Sequence, residues 1–280
     1  MSSLEIVRSL PDEVVHLVME KYASIRDRVL SPSEIALLAA NNLAAQDGHV
    51  SKLCERLCYH AHELQRQEEP RRLEPMLAKI GADKNSVVLD VGCGAGQSLQ
   101  LIHRRSGCKC YGIDCDLDSL AFGNRVNAAY QNSEIELRQG RGDAIEFESE
   151  AFSHVINRVA LNYMHQHSAL KEMVRVLKPG GKLYLQVENA GTDLRALKQS
   201  KSIREFASRS VELGFGFMRS LAGVQFKPGA FRGCPGRIFG SNRRIAKDLA
   251  SLGCPVTDAQ VLSRDLGIAS GSTIVATKSL

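Results

Sequence analysis

The chain has 280 residues, 44% of them hydrophobic and 24% charged, enough to bury a sizeable core, which excludes a disordered or fibrous polymer. No apolar run approaches the roughly 18 residues that a membrane-spanning helix needs, and Glu5, Asp12 and Glu13 interrupt the start where a secretory signal would be apolar, so a cytoplasmic protein is expected. The formal net charge of +5 is uneven: residues 1–85 hold 11 Lys/Arg against 13 Asp/Glu, whereas residues 190–244 hold 11 against 3.

In chain order, residues 1–80 read as several short helices. "PDEVVHLVMEKYASI" spaces Val14, Val15, Leu17, Val18 and Tyr22 helically. "SPSEIALLAANNLAAQ" opens with Ser31 or Ser33 as a cap and Pro32 in the first turn. "HVSKLCERLCYHAHELQRQEE" keeps the helical period until Pro70 breaks it before "RRLEPMLAKIG". A helical N-terminal cap over 1–80 is expected, with the core over 81–280.

From Ser86 the texture changes to strand, turn, helix. "SVVLDVG", "KCYGIDC", "IELRQGRG", "HVINRVA" and "KLYLQVEN" read as strands, with "QSLQLIHRRSG", "LDSLAFGNRVNAAYQN" and "SALKEMVRVLKPGG" as helices among them. Such alternation implies right-handed βαβ units and a parallel sheet covered on both faces. It stops after Glu188 and resumes with the helix "RRIAKDLASLG". The closing strands "VTDAQVLSRDLG" and "STIVATKS" suit a hairpin, so one of them runs antiparallel to the rest. The eight cysteines include Cys54 and Cys58 at i, i+4 and Cys108, Cys110 and Cys115 in one short stretch. Without a CxxC pair or an accompanying His they read as reduced, buried small hydrophobes, and no metal site is expected.

The stretch "VVLDVGCGAGQSLQ" carries the chemistry. A strand ending at a glycine-rich turn that opens a helix brings backbone close to a nucleotide. A dinucleotide fingerprint counted from Gly92 wants glycine at its sixth position, which is Gln97, and no Gly-Lys-Ser/Thr follows for a phosphate loop. The neighbours decide. Asp114 ends the next strand, where a carboxylate accepts hydrogen bonds from both hydroxyls of a ribose. Asp143, in the loop after the third strand, suits an exocyclic adenine amine, and "RVLKPGGKLYL" supplies a helix, a tight turn and a fifth strand.

In this order, "LDVGCGAG", "GID", "GDA" and "LKPGG" resemble the class I S-adenosylmethionine-dependent methyltransferases over Arg71 to Glu188, with the hairpin ending at Thr277 as a second match. The resemblance implies an α/β, Rossmann-like, seven-stranded mostly parallel sheet. Its order would be 3-2-1-4-5-7-6 with strand 7 antiparallel, a helical N-terminal cap, and a helical insertion after strand 5. It also implies S-adenosyl-L-methionine as cofactor. Gly92, Gly94 and Gly96 would back its methionine end, and Asp90 would orient its amino group. Asp114 would hold the ribose, Cys115 would lie beside the adenine, and Asp143 with Ala144 would contact its edge. Asn157 and Arg158 would face the sulfonium and the substrate. Asp114 could instead cap the helix "LDSL", a role that suits Asp116 better. Two departures stand out: His154 in "FSHVIN", where many members carry an aspartate shortly before the fourth strand, and "INRVALNYM" in place of an Asn-Pro-Pro-aromatic turn. The second counts against methylation of planar amines of bases or glutamine.

A sulfonium methyl is already activated, so the protein aligns the reactants and excludes water, with a base only where the nucleophile loses a proton. In "LNYMHQH", His165 or His167 could be that base and Tyr163 could orient substrate; alternatively one histidine caps the next helix and the other faces solvent. Tyr59 and His60 are more distant candidates. The insertion 190–240 spaces Leu, Ile, Phe and Val as an amphipathic helix with Arg/Lys on the remaining face, and Gly214, Gly216, Gly223, Gly229, Gly233 and Gly236 make its second half loop-like. It reads as a solvated face, as a lid whose arginines hold an acidic substrate, or as an RNA track. No Trp or Tyr is interleaved for stacking, and Phe206, Phe215, Phe217, Phe226 and Phe231 suit a pocket or core. The expected partner is therefore a small-molecule substrate, with nucleic acid and membrane disfavoured and the oligomeric state open, a homodimer among the options. The expected function is methylation of a small organic molecule, acidic or of secondary metabolism. An RNA or protein methyltransferase and a non-catalytic cofactor-binding module are the alternatives.

Overall fold

The computed structural model describes every residue except Met1, 67–69, 226–237 and 266. The described residues of 1–80 hold five helices: α1 (Ser3–Arg8), α2 (Asp12–Arg26), α3 (Pro32–Ala40), α4 (Lys52–Arg66) and α5 (Pro70–Ile80). Ser2 and Ser31 each cap a helix and accept from the N–H of the Glu three residues on, whose carboxylate reaches back to the cap. Two orphan donors are satisfied at each start. Pro32 occupies the first turn of α3 and Pro70 opens α5, positions where a missing N–H costs nothing.

The alternating part follows as β1 (Val87–Val91), α6 (Gln97–Ser106), β2 (Lys109–Asp114), α7 (Leu117–Ala129), β3 (Ile135–Gln139) and β4 (Phe152–Arg158). A 3₁₀ turn over Ala160–Tyr163 leads to α8 (Gln166–Val176) and β5 (Leu177–Glu188). Then come α9 (Ala190–Lys198), α10 (Ile203–Ala222), α11 (Asn242–Ser251), β6 (Val256–Asp265) and β7 (Ile268–Thr277). The seven strands form one sheet in the order β3-β2-β1-β4-β5-β7-β6, with β7 antiparallel to β5 and β6, as the motif order implied.

Two local expectations are corrected. "LKPGG" is not the end of a helix and a tight turn but the start of β5. The partner register jumps from Phe152↔Leu177 to His154↔Lys182, so Lys178 to Gly181 form an irregularity, a bulge, in the ladder with β4. Pro179 cannot donate to the ladder, and a bulge is where a sheet tolerates it. Gly214 and Gly216 are helical as well, inside α10, which ends at the left-handed Gly223. Gly216 is an approach point: a Cβ there would lie 2.1 Å from the Phe239 ring.

The chain divides into two compact units. Residues 1–78, 82–85 and 93–139 form one, whose core joins Val14 and Val18 of α2, Leu57 and Ala61 of α4, and Phe122 and Val126 of α7. Residues 79–81, 86–92 and 140–280 form the other. There Leu89, Val155, Ile156, Leu183, Leu185 and Ile274 fill the sheet, with Leu170 and Met173 of α8 and Leu249 of α11 buried as well. The edge strand β6 is exposed along most of its length, and its register shifts at three points, which blunts it as a template for further pairing. Among the described residues no helix is long and apolar enough to cross a membrane.

Candidate functional site

In the first unit the turn after β1 is built around a carboxylate. Gly94 and Gly96 have φ of +55° and +78°, values that strain a side chain, and Gly96 forms the N-cap of α6 without a side chain to fill it. The N–H of Gly94 donates to Asp114 Oδ2 at 2.8 Å, and the N–H of Asp116 donates to Asp114 Oδ1 at 2.9 Å. Both oxygens are thereby aimed, and each keeps a lone pair for a ligand hydroxyl. Asp114 is not the helix cap: Asp116 caps α7, accepting from the N–H of Asp118, and its carboxyl also takes the Ser119 hydroxyl at 2.6 Å. Burial works against the Asp116 carboxylate, but these bonds outweigh it and hold its pKa below the ordinary range. Cys115 is exposed beside them, its thiol pKa raised by desolvation and then by Asp114.

Spacing alone did not reveal what holds this turn from behind. His60 of α4 takes the Gln97 side-chain amide on Nδ1 at 3.0 Å, and its Nε2 lies 2.8 Å from Ser119 Oγ. Because Ser119 gives its proton to Asp116, His60 must donate through Nε2–H, which fixes the tautomer by the network. Gln97, the residue that breaks the dinucleotide fingerprint, is one of these links. Tyr59 points elsewhere, into a cavity of about 300 Å³ lined also by Tyr22, Cys58 and His62.

In the second unit, Asp90 is buried within β1 and Gly92 has φ +81°. A Cβ on Gly92 would come within 2.3 Å of Ala160 Cβ, so only glycine lets the 3₁₀ turn seat there. Asn157, fully buried, donates to Val91 O at 2.6 Å and accepts the Leu161 N–H at 2.9 Å. Its amide therefore ties the end of β1 to the turn after β4, and the side chain is spent on that tie. Arg158 bonds Gln186 at 3.2 Å. Asp143 is clasped by the Arg141 fork at 3.0 and 2.9 Å, which lowers its pKa, and Ala144 beside it is exposed.

Val159, just past β4, has φ +66°, a rare conformation for a β-branched residue. Strain of that kind concentrates at functional sites. Val159 lines a cavity of about 430 Å³ together with Gln186, Glu188, Thr192, Arg195 and Arg264. His165 is the N-cap of α8: Nδ1 accepts the Ser168 N–H at 3.5 Å and lies 2.9 Å from its hydroxyl. His167 is half exposed with Nδ1 3.9 Å from Asp248, and Tyr163 is exposed. Three of the insertion's described arginines are already engaged. Arg209 pairs with Glu205 at 2.6 Å, Arg195 with Asp265 at 3.6 Å, and Arg219 is buried against Asp248. Gly229, Gly233, Gly236, Phe226 and Phe231 lie outside the described residues.

Residues 89–185 match the family model described as a methyltransferase domain. The chain is 33% identical over 129 residues to a malonyl-[acyl-carrier protein] O-methyltransferase of Enterobacter lignolyticus, a match covering 45% of this chain and 47% of that protein. It is 32% identical over 133 residues to a demethylmenaquinone methyltransferase of Bacillus cereus, covering 45% and 52%. The chain thus matches about half the length of these curated relatives. Among solved structures, geranyl diphosphate C-methyltransferase from Streptomyces coelicolor, in complex with Mg2+, geranyl diphosphate and S-adenosyl-L-homocysteine, superposes with a TM-score of 0.55 at 17% identity. That superposition covers 81% of this chain and 85% of that one, and at such identity it speaks for the fold alone.

Proposed function

We propose that the chain, whose residues 89–185 match a methyltransferase-domain model and whose strands keep the order that the resemblance implied, transfers a methyl group from S-adenosylmethionine to a small organic molecule in the cytoplasm. The observation that carries this reading is the Asp114 carboxylate, fixed by the Gly94 and Asp116 N–H groups with lone pairs left over. The donor set suits the adenosyl group: a vicinal diol needs two aimed acceptors, and the positive-φ Gly94 and Gly96 leave backbone bare beside them. Asp143 and Ala144 serve the adenine edge, with Cys115 beside it, and Asp90 and Gly92 serve the methionine end. Asn157 acts as a positioning residue, since its amide is spent on Val91 and Leu161. When bound, the cofactor supplies an activated sulfonium methyl. What remains for the chain is alignment and exclusion of water.

The acceptor is met by residues 159–167, inside the matched domain, together with segments beyond it. The cavity at Val159 sets Arg195 and Arg264 beside Glu188 and Asp265, so an acidic acceptor would meet Arg264 while Asp265 holds Arg195. The malonyl and geranyl diphosphate groups named for the similar proteins are of that chemistry. If the acceptor loses a proton, His167 takes it. His165 accepts on Nδ1 as a cap and so carries its proton on Nε2, which makes it a donor toward substrate rather than a base. Tyr163 orients the acceptor.

Two measurements test this. Asp114→Ala should weaken S-adenosylhomocysteine binding by roughly 1–3 kcal/mol in titration calorimetry, because the ligand hydroxyls and the Gly94 N–H lose their acceptor; unchanged affinity sinks the ribose assignment. Labelled methyl from S-adenosylmethionine should enter the low-mass fraction of a cell extract. There, His167→Gln should slow transfer and His165→Asn, which keeps a cap, should slow it less. Label in nuclease-sensitive material would point to RNA instead.

A further inference from the structure

Helix α10 is turned inside out. Ile203, Phe206, Val211, Phe217, Met218 and Leu221 recur at helical spacing on one face, and that face is the outer one. Ile203 is 90% and Leu221 83% exposed, with the other four between 43% and 52%. The inner face carries the polar residues. Glu205 pairs with Arg209, Glu212 is buried, and Arg219 is fully buried against Asp248 of α11. An amphipathic helix that only covered a core would be oriented the other way.

The charges beside the stripe are of one sign. Lys198, Lys201 and Arg204, at the end of α9 and the start of α10, are exposed. The carboxylates of residues 190–225 are Asp193 and Glu212, both buried, and Glu205, which is ion-paired. We propose that the outer face of α10 docks the chain on an anionic lipid bilayer, its apolar stripe at the acyl boundary and these cations on the headgroups. A stripe of large apolar residues rimmed by Lys/Arg is how interfacial helices bind. A second copy fits less well: a face that pairs with itself brings these cations no exposed carboxylate from residues 190–225 except the ion-paired Glu205. This docking goes beyond the methyl-transfer reading and does not depend on it.

The test is sedimentation of the full chain with vesicles of phosphatidylcholine alone or of equal parts phosphatidylcholine and phosphatidylglycerol. The chain should pellet with the mixed vesicles, weakly with the neutral ones, and less as salt rises. The double variant Ile203→Ser/Leu221→Ser, at the two most exposed positions, should bind at least tenfold more weakly while melting as the wild type does. Lys198→Gln/Lys201→Gln tests the charge arm without touching apolar surface, and should lose roughly tenfold or more. Failure of the wild type to pellet with mixed vesicles, or equal binding by the serine variant, overturns the proposal. So does a wild-type dimer in analytical ultracentrifugation that the serine variant converts to monomer, since the face then belongs to a second copy.

Discussion

At the scale of single residues, His60 shows how one side chain can make a cofactor turn sensitive to pH. Desolvation lowers its pKa, Arg56 adds to the effect, and Asp116, Asp114 and Glu63 oppose it without prevailing. The imidazole is thus held neutral between Gln97 and Ser119. An unfolded histidine titrates near ~6.5, so with a lower folded pKa the unfolded chain binds the proton first as pH falls. The stability contributed by neutral His60 is complete above about pH 6.5 and is lost as pH falls through the lower folded value. Melting curves from pH 8 to 5 should show this decline, and His60→Gln should flatten it; identical slopes would mean that His60 does not govern that window. Asp116 and Asp143, whose pKa values are also lowered, act in a separate and more acidic window. Asp114→Ala belongs to this scale as well, because it removes one acceptor and leaves the fold's registers untouched.

Among elements, α10 and α11 meet through Asp248, 3% exposed and shared by Arg219 and by Arg244 at 3.0 Å. Removing one partner of a buried pair leaves charge without compensation, so Asp248→Ala should destabilise the chain by about 3–5 kcal/mol in urea unfolding. Replacing Arg219 and Asp248 together by leucine should cost less than the single change, because the fully buried Arg219 charge is then gone and only the partly exposed Arg244 loses its carboxylate; a double variant worse than the single would contradict this. The same pair explains why the orientation of α10 was not legible in the sequence. The 3.6-residue period of Ile203, Phe206, Phe217 and Leu221 announces an apolar face, but a period does not say which way it points. The buried arginine and its distant aspartate made that choice.

For the whole molecule, the cofactor proposal has a thermodynamic consequence. A ligand that binds only the native state adds RT ln(1 + [L]/Kd), about 2.7 kcal/mol at about a hundred times Kd. S-adenosylhomocysteine should therefore raise the melting temperature in scanning calorimetry in a concentration-dependent way. No rise would remove the cofactor reading, and a rise with NADH alone would point to a dinucleotide in the glycine turn instead.

The sequence by itself determined the strand alternation and a helix start at Ser31 or Ser33 with Pro32 in its first turn, while the sheet order came through the family resemblance that "LDVGCGAG", "GID", "GDA" and "LKPGG" carry. The alternation and the helix start depend on local spacing and caps, which a linear string contains. It also singled out Asp114, because a carboxylate at that strand end has a use that does not depend on distant partners. Tertiary structure alone decided that His60 backs the glycine turn, that Asn157 spends its amide on Val91 and Leu161, that His165 is a cap, and that α10 turns its apolar face outward. Most of these depend on partners far away along the chain, such as Gln97 and Ser119 for His60 and Asp248 for Arg219. The His165 cap is local, and there the sequence left two readings open until geometry chose between them. Chain folding, not spacing, brings the distant groups within hydrogen-bond range.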